Sequence, residues 1–158
     1  MALQFHSNNG INKKTIIAFE HSYHGDTFGS MSVSDRGAFT KPFHDKLFDV
    51  QFITPPFEGR EEESLQQLNS LLDNNDVAAF IYEPLVMGAG GMLMYQAEPL
   101  EKLIQLAKSR GAVCIAGEVM TGFFRTGKIF ASHHIETRPD IMCVSKGITG
   151  GTMALGVT

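Results

Sequence analysis

Apolar residues in this chain fall into short unbroken runs that alternate with stretches of helical spacing. Residues 15–19, 50–54, 77–82, 112–117 and 141–145 are β-rich apolar runs, each bounded by Gly, Pro, Asn or Asp, and they predict five strands. Residues 61–72 place Leu65, Leu68, Leu71 and Leu72 at helical spacing, and residues 99–110 do the same with Leu100, Leu103, Ile104 and Ala107. A continuously apolar strand suits a sheet covered on both faces, and strands that alternate with helices pair in parallel. The pattern predicts an α/β fold, a mainly parallel sheet with flanking helices. No internal repeat or low-complexity tract interrupts it.

The two ends read differently from the middle. Met1 to His6 resembles the last turns of a helix closing at Asn8-Asn9-Gly10, with no N-cap residue before it, and Ala154 to Thr158 opens like a further strand. The expectation is an internal piece of a longer protein, truncated at both ends.

Composition narrows the function classes. With 158 residues, 43% of them hydrophobic, the chain has the size and make-up of one globular domain. A net charge of −4, with 13 basic residues spread along the chain, offers no basic stripe to a nucleic acid. Glu83 and Pro84 break the most apolar stretch well short of a membrane span, and the N-terminus lacks a basic segment followed by an apolar one. No membrane partner is expected, and a cytoplasmic location is. Cys114 and Cys143 lie inside apolar runs, where thiols stay buried and free.

The chemistry-bearing residues cluster at the predicted strand ends. In residues 139–151, PDIMCVSKGITGG, Lys146 closes a buried strand just before a glycine turn. Ligands collect at the carboxyl ends of parallel strands, and a partly desolvated lysine there can attack a carbonyl as a free amine. A lone lysine is by default a solvated one, so its neighbours decide the matter. Tyr23-His24-Gly25 follows the first strand, with Asp26 or Thr27 able to cap the next helix and Tyr23 able either to pack or to stack on a flat ligand. His21 and His24 as a metal pair lack a third ligand nearby. Glu83 ends another strand before Pro84 and the turn Gly88-Ala89-Gly90-Gly91, and serves equally well as a site carboxylate or as an ion-pairing group. Residues 122–128 fit the phosphate-loop pattern G-x-x-x-x-G-K, but Ile129 stands where a hydroxyl should hold magnesium. Phe123 and Phe124 inside that loop suit packing better than a nest of amides, which argues against nucleotide hydrolysis.

Taken together, four motifs resemble the class III aminotransferases, pyridoxal-phosphate enzymes of fold type I. They are Tyr23-His24-Gly25-Asp26-Thr27, Glu83-Pro84 with Gly88-Ala89-Gly90-Gly91-Met92, Glu118-Val119 with Thr121-Gly122-Phe123 and Arg125-Thr126-Gly127, and Pro139-Asp140-Ile141 running to Ser145-Lys146-Gly147. YHGDTFGSMSV and KGITGGTMALGVT look most like the branch of the family that acts in biotin synthesis. The resemblance implies that the chain is part of a cofactor-binding large domain whose small domain is absent. It implies pyridoxal 5'-phosphate as cofactor, a small-molecule amino donor with S-adenosylmethionine as a candidate, 8-amino-7-oxononanoate as keto acceptor, and a homodimer. Lys146 would carry the cofactor covalently and act as base. Tyr23 would stack on one face of the ring and Val119 on the other, with His24, Gly25, Glu83 and Gly117 completing the cofactor site and Tyr23 and Lys146 meeting the substrate. Strand alternation would turn Gly117 and Val119 toward the cofactor and Glu118 away.

Three positions depart from the family pattern. Gly117 stands where the family has the Asp that keeps the pyridine nitrogen protonated. Phe124 replaces a usual Gly, and Ala154 a usual Pro. Another ω-aminotransferase, or a non-catalytic scaffold descended from the family, stays open on these residues.

Overall fold

The computed structural model describes residues 1–74 and 76–158. Five strands form one sheet: β1 (Thr15–Phe19), β2 (Gln51–Ile53), β3 (Val77–Tyr82), β6 (Val113–Gly117) and β7 (Ile141–Cys143). Their order is β2-β1-β3-β6-β7, and every neighbouring pair is parallel. The helices are α1 (Ala2–Asn8), α2 (Phe28–Ser32), α3 (Glu61–Leu72) and α4 (Ala97–Ser109). A two-residue antiparallel pair, β4 (Val86–Met87) and β5 (Leu93–Met94), forms a small hairpin after β3. The predicted α/β class and all five strands are present. The hairpin lies outside the prediction because two-residue strands leave no periodicity to read.

Side-chain alternation divides the sheet into two working faces. Phe80, Tyr82, Cys114 and Ala116 point into a core shared with Leu68 and Leu72 of α3 and Leu100, Leu103 and Ile104 of α4. Phe19 and Phe80 meet edge to face there, with ring centroids 5.2 Å apart. The intervening residues Ile81, Ile115, Gly117, Ile141 and Cys143 line a cleft on the opposite side, beside the start of α1. Parallel pairing in register, with Ile115 opposite both Ile81 and Ile141, brings the carboxyl ends of β3, β6 and β7 to that cleft.

Two expectations from the sequence need correction. Residues 141–145 do not form a strand covered on both faces: β7 is shorter, sits at the edge of the sheet and is only half-buried. Its apolar run serves one face that packs and one that lines the cleft, so continuity of hydrophobicity overstated its cover. Residues 154–158 form no strand, only a single antiparallel bridge between Val144 and Val157.

Phe124 occupies strained backbone. Its φ is +70° and its side chain is 66% exposed, so it adopts a left-handed conformation without gaining burial. Glycine adopts that conformation without a Cβ clash, which accounts physically for the residue expected there. Phe124→Gly should therefore leave stability unchanged or raise it by up to about 1 kcal/mol, read as the shift in urea midpoint at constant slope. A loss of stability would show that the exposed ring makes contacts that outweigh the strain.

Candidate functional site

All seven residues expected to form the site, Tyr23, His24, Gly25, Glu83, Gly117, Val119 and Lys146, line one open cleft of about 810 Å³. They arrive from the ends of four different strands. Tyr23, His24 and Gly25 come from the loop after β1, Glu83 from the end of β3, Gly117 and Val119 from the end of β6, and Lys146 from the turn after β7.

Glu83 is the tie between two of these loops. It is 7% exposed; its Oε1 accepts the Tyr23 N–H at 2.9 Å and its Oε2 accepts the Gly88 N–H at 3.3 Å. The Tyr95 hydroxyl donates to its carbonyl oxygen. Burial pushes the Glu83 carboxyl above the usual carboxylate range, while the two backbone N–H groups and the charge of Lys146 pull it back down. Beneath it the hairpin turn fits closely against its neighbours. A Cβ at Gly90 would lie 2.2 Å from the His21 carbonyl oxygen, and one at Gly88 would lie 2.4 Å from the Met120 sulfur. The turn therefore needs glycine at residue 90, where the close approach is to backbone, while the Met120 side chain at Gly88 is free to move.

Thr27, and not Asp26, caps α2: its hydroxyl accepts the Ser30 N–H. Asp26 instead accepts the Tyr23 hydroxyl at 2.8 Å, which holds the ring at the cleft mouth and, together with some burial, raises the phenol's pKa. A carboxylate three residues after the tyrosine was the available signal for this bond. Ser34, whose hydroxyl accepts the His24 N–H at 2.8 Å, has no such signal in the sequence.

Strand alternation at the end of β6 is as expected. Glu118 is fully buried on the side away from the cleft, where it accepts the Ala131 N–H at 3.0 Å, the Ser132 N–H and hydroxyl at 2.7 Å each, and the Thr121 hydroxyl at 2.6 Å. Its acceptor capacity is committed, leaving Gly117 without a carboxylate to replace the one it lacks.

Lys146 stands at the cleft but is exposed, contrary to the partly desolvated position expected of it. The cause is the edge position of β7, which leaves one flank of the following 3₁₀ turn, Lys146–Thr149, open. Its φ of +45° is left-handed, and strained non-glycine backbone of this kind concentrates at functional sites.

The remaining sequence candidates fall elsewhere. His21 faces Asp35 at 3.4 Å, and among the described residues no group of three or more His, Cys, Asp or Glu is placed to hold a metal ion. Lys128, the lysine of the phosphate-loop pattern, is committed to the His133 carbonyl at 2.9 Å, and Phe123 packs on Phe130 with centroids 5.6 Å apart, while Phe124, expected to pack as well, is exposed. Among the described residues no helix is long and apolar enough to cross a membrane.

The family model for aminotransferase class III matches residues 1–158. The chain belongs to the class III aminotransferases. Among curated relatives in that family, it is 43% identical to the adenosylmethionine-8-amino-7-oxononanoate aminotransferase of Synechococcus elongatus over all of its own length and 39% of the relative's. It is 37% identical to the enzyme of that name from Staphylococcus aureus, over 92% of this chain and 35% of the relative. The chain thus spans under two fifths of these class III proteins. The solved structure of the Methanocaldococcus jannaschii adenosylmethionine-8-amino-7-oxononanoate aminotransferase superposes with a TM-score of 0.87 at 33% identity, covering 98% of this chain and 36% of that one. A transaminase from the marine bacterium Virgibacillus gives a TM-score of 0.90 at 30% identity, over 98% and 36%.

His24 provides a test of the cleft's electrostatics. Burial lowers its pKa from 6.5 to about 4, so the folded state resists protonation that the unfolded chain accepts. The sign follows from proton binding. Between the two pKa values the unfolded state holds the extra proton, so stability rises with pH and is lost as pH falls from about 6.5 toward about 4. The loss attributable to His24 should approach about 3 kcal/mol at most. His24→Gln should flatten the stability difference between neutral pH and pH of about 5, measured by denaturant unfolding. Glu83 acts with opposite sign but is present in both proteins and cancels in the comparison. Identical pH dependence in the two would show the imidazole to be solvated.

Proposed function

We propose that this chain is part of the cofactor-binding large domain of a pyridoxal-phosphate-dependent aminotransferase that transfers an amino group to 8-amino-7-oxononanoate in biotin synthesis, with S-adenosylmethionine as donor. The observation that carries the reading is the meeting of Lys146, Tyr23, Val119 and Glu83 around one cleft at the strand ends. The names of the curated relatives support the acceptor and the donor. A cytoplasmic homodimer belongs to the same reading.

The residues fit the cofactor's ring and aldehyde. The cleft has an apolar floor of Ile81, Ile115 and Ile141, an aromatic ring at its mouth and one primary amine at its edge. When bound, pyridoxal phosphate supplies an aldehyde that exchanges amino groups and a ring that draws charge away from the reacting carbon. Lys146 would hold the cofactor through Nζ and, once released by substrate, move the proton at the substrate's reacting carbon. Tyr23 and Val119 would hold the ring flat between them. Glu83 would orient the loop that carries Tyr23, through the N–H it accepts. Gly25, at φ +119°, lets the chain turn immediately after His24.

Incubation with pyridoxal phosphate followed by borohydride should fix a pyridoxyl group on Lys146, located by mass spectrometry of the digested protein. An adduct at another lysine, or an undiminished yield in Lys146→Ala, would remove Lys146 from this role.

Gly117 supports a second reading, a non-catalytic scaffold, because nothing at that position keeps the ring nitrogen charged. The two readings separate on one substitution. Restoring the buried charge pair is worth roughly 3 to 5 kcal/mol in the transition state, so Gly117→Asp should speed single-turnover uptake of an amino group by about 10²-fold to 10³-fold or more. A Cβ at 117 would lie 3.3 Å from His24 Nδ1 and 3.4 Å from the Tyr82 carbonyl oxygen, which the ring can accommodate by a small shift. Equal rates would show that a carboxylate at this position is not needed, and no turnover in either protein would favour the scaffold.

A further inference from the structure

Where Gly117 leaves the floor of the cleft without a side chain, the His24 ring lies alongside. A Cβ at 117 would meet His24 Nδ1 at 3.3 Å and Cε1 at 3.6 Å, so the edge of the imidazole that carries Nδ1 borders the place where that side chain would begin. The backbone behind the ring is fixed. The His24 N–H donates to the Ser34 hydroxyl at 2.8 Å, which itself donates to the Ser30 carbonyl at 2.8 Å. The opposite nitrogen, Nε2, is shut away from solvent and has no hydrogen-bond partner among the described residues.

We propose that the Nδ1–H of His24 is the hydrogen-bond donor to the ring nitrogen of the cofactor, and that this protein holds that nitrogen unprotonated. The inference rests on the aminotransferase reading and deepens it.

The imidazole is neutral at physiological pH, since burial lowers its pKa to about 4, and it therefore carries one proton on one of two nitrogens. On Nε2 that proton would be an orphaned buried donor, which folded proteins avoid more strictly than an under-satisfied acceptor. On Nδ1 it points to the cleft beside Gly117, where a ligand can accept it. A neutral pyridine nitrogen is an acceptor and completes this bond. A pyridinium nitrogen is a donor and would set two N–H groups against each other. The other charged groups near the cleft do not reverse this preference. Lys146 is taken up by the cofactor's aldehyde; Glu83 is occupied by the Tyr23 and Gly88 N–H groups; Asp26 is occupied by the Tyr23 hydroxyl; and Glu118 is spent on the far face of β6.

The test is magnetic resonance of isotopically labelled ring nitrogens, on the protein carrying this chain and loaded with pyridoxal phosphate. The cofactor nitrogen should show the shift of a neutral, hydrogen-bonded pyridine, unchanged from about pH 6 to about pH 9, and His24 should be the tautomer protonated at Nδ1. His24→Phe, which keeps the ring and removes its nitrogens, should move the cofactor nitrogen to the shift of an unbonded pyridine and weaken cofactor affinity about 10-fold. A protonated cofactor nitrogen in the unsubstituted protein, a His24 proton on Nε2, or a His24→Phe variant with unchanged shift and affinity would each overturn the proposal. The tautomer measurement requires no substitution, so it stands even if the variant fails to fold. Failure of the aminotransferase reading looks different: no borohydride-fixed adduct forms on Lys146 in the unsubstituted protein.

Discussion

The end of β6 is kept in phase by a carboxylate that never reaches the cleft. Glu118 gathers two backbone N–H groups and two hydroxyls from the loop after β6, and a buried charge satisfied in this way cannot turn around without leaving all of them unpaired. Strand geometry then does the rest. With Glu118 fixed inward, Gly117 and Val119 must face the cleft, and the absence of a side chain at 117 becomes a property of the cleft floor. This interior carboxylate thus decides what the site can offer a ligand, although it faces away from the cleft.

Around that fixed end the other loops are joined in sequence. Glu83 binds the loop after β1 to the hairpin after β3, and Asp140 binds the start of β7 to β6 by accepting the Cys114 N–H at 2.8 Å. Each carboxylate sits at or beside a strand end, where the backbone leaves the ladder and its N–H groups would otherwise lack partners. Alignment of the strand ends is therefore a matter of polar satisfaction as much as of apolar packing, which is concentrated on the α3 and α4 side.

Much of this arrangement was legible from the sequence because two periodicities carry it. Leu68 and Leu72 mark the buried face of α3, and the runs of β1, β3 and β6 stand out against glycine and proline boundaries. The motif residues could be assigned to strand ends on the same grounds, and they do meet in one cleft. The exposure of Lys146 and of β7 was not legible, since an apolar run gives the character of a strand but not its place in the sheet. Nor was the position of His24 beside Gly117, which depends on contact between a loop and a strand end more than ninety residues apart. The hydrogen bond from the His24 N–H to Ser34 belongs to the same class of feature, in which a common residue type takes a specific role through tertiary geometry alone.

The hairpin turn has a consequence for how this sequence can change. Gly90 presses so closely on the His21 backbone that any side chain there would push the hairpin away from the loop carrying Tyr23, whereas one at Gly88 would meet only the flexible end of the Met120 side chain. The outer faces of α3 and α4 carry exposed charged pairs such as Glu98 with Lys102, whose replacement costs little. Evolutionary drift in this chain is thus free to accumulate on its helical surface. The small turn beneath Glu83, which has no chemistry of its own, is held to glycine at residue 90 by the backbone it touches.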